Sequence, residues 1–122
     1  MSTLQETVLT LARAVSGAGE QDEVLLETLC RAAEAYWRGR LRQGVTAEDC
    51  GEAFPCAAAF TAAADLAAGQ GGGIESFTAG SVSVKGGGES AARRAESLRR
   101  SAEERMAPFA EPGDFAFQGV RG

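Results

Sequence analysis

Residues 69–88 read Gly69-Gln-Gly-Gly-Gly-Ile74-Glu-Ser-Phe77-Thr-Ala-Gly80-Ser-Val82-Ser-Val84-Lys85-Gly-Gly-Gly88. A segment with β-forming residues is flanked by two glycine runs. Val82 and Val84 alternate with Ser81, Ser83 and Lys85, the period-two pattern of a half-buried strand. Ile74 and Phe77 precede Ala79-Gly80, which allows a hairpin or a bent strand. A lone ribbon cannot pair its edges inside a small helical domain, so it is expected to find partners on another chain.

On either side of this segment the pattern is helical. Upstream, Ser2 and Gln5 match a capping box, and Leu4, Val8, Leu11 and Val15 form an apolar stripe that stops at Gly17 to Gly19. Asp22 is placed to cap a second helix. Its apolar face carries Leu26, Leu29, Cys30, Ala33, Trp37 and Leu41, with Tyr36 on the flank. Arg38, Arg40 and Arg42 complement the dipole of its last turns, and Gly44 marks the stop. Thr46 caps a short turn at 46–51. A third helix is expected over about 53–68, with Pro55 in its first turn, where a missing N–H costs nothing. Ala57, Phe60, Ala64 and Ala67 are its packed side. Its scarcity of charge predicts the central, most buried helix.

Downstream, Ala91, Ala95, Leu98, Ala102, Met106 and Phe109 predict an amphipathic helix over about 89–109, closed by Pro108 and Pro112. Glu96–Arg100, Arg99–Glu103 and Arg100–Glu104 have the spacing of ion pairs within a helix. Phe115 and Phe117 follow in a tail that is expected to dock, because exposed phenylalanines on a chain end are unfavourable. The fold class is therefore mainly α. It is a small bundle of about four helices with a β ribbon between the last two and an extended C-terminal tail. One domain covers 1–122, divided into N-terminal helices (1–69), glycine-flanked ribbon (70–88), last helix (89–109) and tail (110–122).

Composition narrows the function. The 122 residues carry 12 basic and 17 acidic side chains, a net charge of −5. Neither half is basic, which argues against a primary nucleic-acid binder. Leu, Val and Ile together number 17 in an alanine-rich chain. Such a core buries little area per residue, and oligomerisation would add burial. The uncharged run ending at Ala64 is too short to span a bilayer, and no membrane partner is expected. Three cysteines and no signal peptide point to a reduced, cytosolic environment.

Chemistry is sparse. Without histidine the commonest general base and zinc ligand are missing. Cys30, Cys50 and Cys56 have neither zinc-site nor redox-pair spacing and read as small core residues. Gly80 to Gly86 lacks the Gly-Lys-Ser/Thr ending of a phosphate loop. Arg93-Arg94 and Arg99-Arg100 read as a solvated helix face balanced by Glu96, Glu103 and Glu104. Glu48, Asp49 and Glu52 are explained by capping, and Tyr36 and Trp37 by core packing. No catalytic residue, metal ligand or cofactor is expected, and the chain is not expected to be an enzyme.

The order of elements resembles the head-tail connector (adaptor) proteins of long-tailed phages and prophages. The resemblance spans residues 4–120. It rests on Cys30-Arg-Ala-Ala-Glu-Ala-Tyr-Trp37, the alanine-rich helix, and the ribbon Ile74-Glu-Ser-Phe-Thr-Ala-Gly-Ser-Val-Ser-Val84. The Arg-rich helix and the tail Phe115-Ala-Phe-Gln-Gly-Val-Arg121 complete it. It implies a structural subunit in a homo-oligomeric ring of about a dozen copies, closed by one patch meeting a different patch on the neighbour. Such a ring sits under the portal protein in the neck of the virion and meets the next neck or tail protein. It extends a DNA channel without specific DNA binding, and it assembles in the bacterial host cytoplasm. The expected contacts with neighbouring subunits or partners are Phe77, Val82 and Val84 in the ribbon and Phe115, Phe117 and Val120 in the tail. The alternative is a small helical adaptor or regulatory protein that binds a partner through the same ribbon and tail.

Overall fold

A computed structural model describes residues 2–69 and 81–112, the side chains of 81–89 excepted. The described residues fold into four α-helices: α1 (Thr3–Ser16), α2 (Glu23–Arg40), α3 (Ala53–Ala68) and α4 (Ser81–Met106). Short 3₁₀ turns at Glu20–Asp22 and Glu48–Cys50 lead into α2 and α3.

The start of α1 follows the sequence closely. Ser2 Oγ accepts from the Gln5 N–H, and Gln5 Oε1 accepts from the Ser2 N–H, so two orphan donors are satisfied reciprocally. Gly17 closes α1 at φ +70°, a left-handed conformation that glycine adopts without a Cβ clash. Other boundaries differ from expectation. Asp22 stands at the N-cap of α2, but its side chain makes no capping bond. Helix α2 ends at Arg40, with Leu41 extended, so Arg42 lies beyond the helix. Gly44, at φ +87°, belongs to the following turn. Thr46 and Asp49 cap each other across that turn, Thr46 N to Asp49 Oδ2 at 2.9 Å and Asp49 N to Thr46 Oγ1 at 3.2 Å.

Helix α3 is the centre of the bundle and packs on α1, α2 and α4. Phe54, Pro55, Ala57, Ala58, Ala59, Ala62, Ala63, Ala64 and Leu66 are all buried. The buried surface is thus wider than the single side expected, and Phe60 and Ala67 are only half-buried. Alanine allows this, because short side chains let neighbouring helix axes approach on several sides at once. One end of the core joins Val8, Leu9 and Ala12 to Leu26, Cys30 and Ala33 across α3. The other joins Trp37, Cys50, Phe54 and Ala57 to Ala102, Met106 and Ala110.

The expected strand is corrected. Residues 81–88 form the start of α4, so Val82 and Val84 lie in a helix. Two physical terms favour the helix there and one opposes it. Each residue added to an existing helix gains a backbone hydrogen bond without a new nucleation cost. A strand in this position has no neighbouring strand edge to pair with among the described residues. Gly86, Gly87 and Gly88 oppose the helix at roughly 1 kcal/mol each relative to alanine. The rest of the expected ribbon, including Ile74 and Phe77, lies outside the described residues, as do Phe115, Phe117 and Val120 in the tail.

Candidate functional site

The C-terminal end of α2 carries a dense polar network that ties α2 to α4 and to the residues after it. After Met106 the chain turns, and Phe109 to Glu111 run antiparallel to Arg40 to Arg42. Arg42 N–H donates to Phe109 O at 2.9 Å, and Glu111 N–H donates to Arg40 O at 2.7 Å. Leu41 and Ala110 form the bridge between them. Backbone groups left unpaired by the ends of α2 and α4 are thereby satisfied.

Arg40 holds this junction. Its residue is only 8% exposed, which for arginine demands full pairing. Nη1 and Nη2 donate to the two carboxylate oxygens of Glu103 on α4, at 2.6 and 2.9 Å. Nη1 also donates to Tyr36 Oη at 2.8 Å, and Nε donates to Glu111 O at 2.8 Å. The guanidinium lies 4.5 Å from the Trp37 ring centroid, a cation–π distance. The fork of donors suits arginine and not lysine, since it engages a carboxylate and a carbonyl in one plane. The bond to Glu103 raises the Arg40 pKa, with burial acting against it, so the group stays charged.

Beside this junction lies a groove of about 390 Å³ between α2, α3 and α4. Ala32, Ala33, Tyr36, Trp37 and Thr61 form its walls. Asp65 and Arg99, paired at 2.8 Å, stand on its rim with Glu103. Trp37 is 1% exposed and donates from Nε1 to Thr61 Oγ1 at 2.9 Å, so its role is core packing, as expected. Tyr36 is 48% exposed and meets the Trp37 ring edge-on at 5.2 Å. Its exposed ring is therefore a wall of the groove and not part of the core.

The arginines of α4 are used differently from expectation. Glu96–Arg100 forms, at 3.8 Å. Arg99 instead reaches Asp65 on α3, and Glu103 turns to Arg40. Arg94 donates to Val15 O at 2.7 Å, tying α4 to the last turn of α1. A longer-range partner with a buried or fixed geometry wins over a flexible pair on the same helix face, which is worth only about 0.2–0.5 kcal/mol.

The cysteines are free thiols, with Cys30 and Cys50 buried and Cys56 half-buried. Burial pushes the Cys30 thiol up to about 11, aided by Glu34, and raises that of Cys50. Both stay protonated at neutral pH, where a thiol is a poor nucleophile. Glu34 is a second feature that periodicity does not reveal. It is buried on α2, with Oε1 3.5 Å from Arg38 and Oε2 without a hydrogen-bond partner among the described residues. Burial raises its pKa above the usual carboxylate range, while Arg38 and then Arg31 oppose the shift.

Among the described residues no cluster of metal-ligating side chains occurs, and no helix is long and apolar enough to cross a membrane. No protein-family model, curated protein or solved structure matches the chain.

Proposed function

We propose that this protein is a structural subunit of a phage or prophage neck, a head-tail connector that assembles as a ring under the portal. The observation that carries the reading is the junction at Arg40. It fixes Ala110 and Glu111, just before the tail, against the end of α2 through Glu103, Glu111 O and the Leu41–Ala110 bridge. A subunit that joins neighbours through a terminal arm needs such a rigid root, so that the arm is delivered in one direction. The succession of three helices, a glycine-flanked segment, a final amphipathic helix and an aromatic tail supports the same reading.

In this assembly Phe115, Phe117 and Val120 contact a neighbouring subunit, the portal or the next ring. Phe77 contributes from the glycine-flanked segment, and Val82 and Val84 from the first turn of α4. Strand addition through Val82 and Val84 is not part of the proposal, since both are helical. The activity is mechanical: the ring lengthens the DNA channel and presents a platform. A net charge of −5 suits a wall past which DNA slides, because repulsion prevents sticking.

The test replaces Phe115 and Phe117 together by serine. Helix content by circular dichroism is expected to be unchanged, while head–tail joining in particle assembly is lost. Normal joining by the double variant refutes the tail's role.

A further inference from the structure

We infer that in the free subunit the tail folds back, and that its Phe115-Ala116-Phe117 segment docks in the Tyr36–Trp37 groove of its own chain. The inference does not rest on the connector reading.

Direction is the first argument. Phe109 to Glu111 pass Arg42 and then Arg40, so the chain heads towards the body of α2. Tyr36 lies one helical turn before Arg40 on that path. Arg40 binds Tyr36 Oη and Glu111 O at once, each at 2.8 Å, which brings the last residues before the tail to the groove's edge. Pro112 keeps Glu111 out of helical geometry and so favours continued extension.

Reach is the second. Phe115 is four residues beyond Glu111, which spans up to about 13–14 Å when extended, and Phe117 reaches two residues further. So short a tether holds the segment at an effective concentration of about millimolar, and weak side-chain contacts then suffice for docking.

Fit is the third. An apolar cavity of roughly 150 Å³ accommodates a benzene molecule, so the 390 Å³ groove has room for a phenyl ring and adjoining backbone. The exposed methyl group of Ala32 and the half-exposed Tyr36 ring, which also meets the Trp37 ring and the Arg40 guanidinium, offer apolar and aromatic contact. Sequestering two phenylalanines in cis would also keep the free subunit from sticking indiscriminately.

The experiment places a photoreactive benzoylphenylalanine at position 117 of the full chain and mixes light- and heavy-isotope copies before illumination. Expected are cross-links to peptides containing Ala32–Trp37 or Arg99–Glu103, all within one isotope class. A second variant, Ala32→Glu, fills the mouth of the groove at an exposed helical position that glutamate tolerates. Loss of these cross-links in that variant is the expected result. Cross-links that fall elsewhere, or that survive Ala32→Glu, overturn the docking site. Cross-links of mixed isotope class overturn the cis assignment and make a second copy the occupant. A negative result leaves the assembly phenotype of the Phe115/Phe117 double variant unaffected, so the two proposals fail separately.

Discussion

Among the described residues two arginine–glutamate pairs join helices, and they do different things. Arg13 and Glu23 link the last turn of α1 to the first turn of α2, with side chains 47% and 33% exposed. Arg40 and Glu103 link the last turn of α2 to α4, but the Arg40 side chain is only 9% exposed. The first pair sits in water, where Coulomb attraction is screened and two long side chains must be ordered to gain it. The second keeps its cation out of water and compensates with a bidentate carboxylate, a hydroxyl, a carbonyl and an indole face. Identical chemistry therefore yields a dispensable clasp at one junction and a structural root at the other.

Removing the buried partner is the sharpest test. Arg40→Ala is expected to lower the unfolding free energy by about 3 kcal/mol, because it leaves Tyr36, Glu103 and Glu111 O without their donor. Urea denaturation measures it, and hydrogen exchange at the Glu111 amide should accelerate in the same variant. Arg40→Lys should recover only a small part, since an ammonium cannot span the carboxylate and the carbonyl together. Loss of less than about 1 kcal/mol in Arg40→Ala would place this pair in the same class as the exposed one.

Removing the capping hydroxyl in Ser2→Ala tests a purely local element and should cost about 1 kcal/mol by the same measurement. Arg13→Ala should cost less than Ser2→Ala, and its effect should shrink in high salt.

The pH response separates a third kind of charge. Glu34 has a folded pKa above its unfolded one, so the folded state holds the proton more tightly. Its contribution to stability is present below the ordinary carboxylate pKa and is lost as pH rises through the raised value. Glu34→Gln should therefore flatten the decline in stability from acidic to neutral pH, read from urea midpoints across that range. An unchanged pH profile would show that burial does not disfavour this carboxylate's charged form.

Sequence periodicity located the four helices because alanine spacing, Gly17 and the Ser2–Gln5 box act locally. It placed α3 at 53–68, which is where the helix stands. Ala95, Ala102 and Met106 are buried on α4 along the expected stripe. The junction at Arg40 was not legible, because its partners lie 63 and 71 residues away and an arginine in a last helical turn also satisfies the dipole rule. Glu34 was hidden for a similar reason: a charge flanked by apolar positions reads as solvated. Alternation at 81–85 misled, since two valines spaced two apart fit a strand equally well as a helix extended backwards from α4. Of the candidate groove, Tyr36 and Trp37 were visible together, but their division into a core ring and an exposed wall depends on where α3 and α4 lie.

The most direct test of the account is the mass of the purified chain by light scattering across a concentration series, alone and mixed with a portal ring, with electron microscopy of any large species. The account predicts a closed ring of about a dozen copies, formed alone or seated on the portal. A chain that remains monomeric at every concentration and does not bind the portal would contradict it.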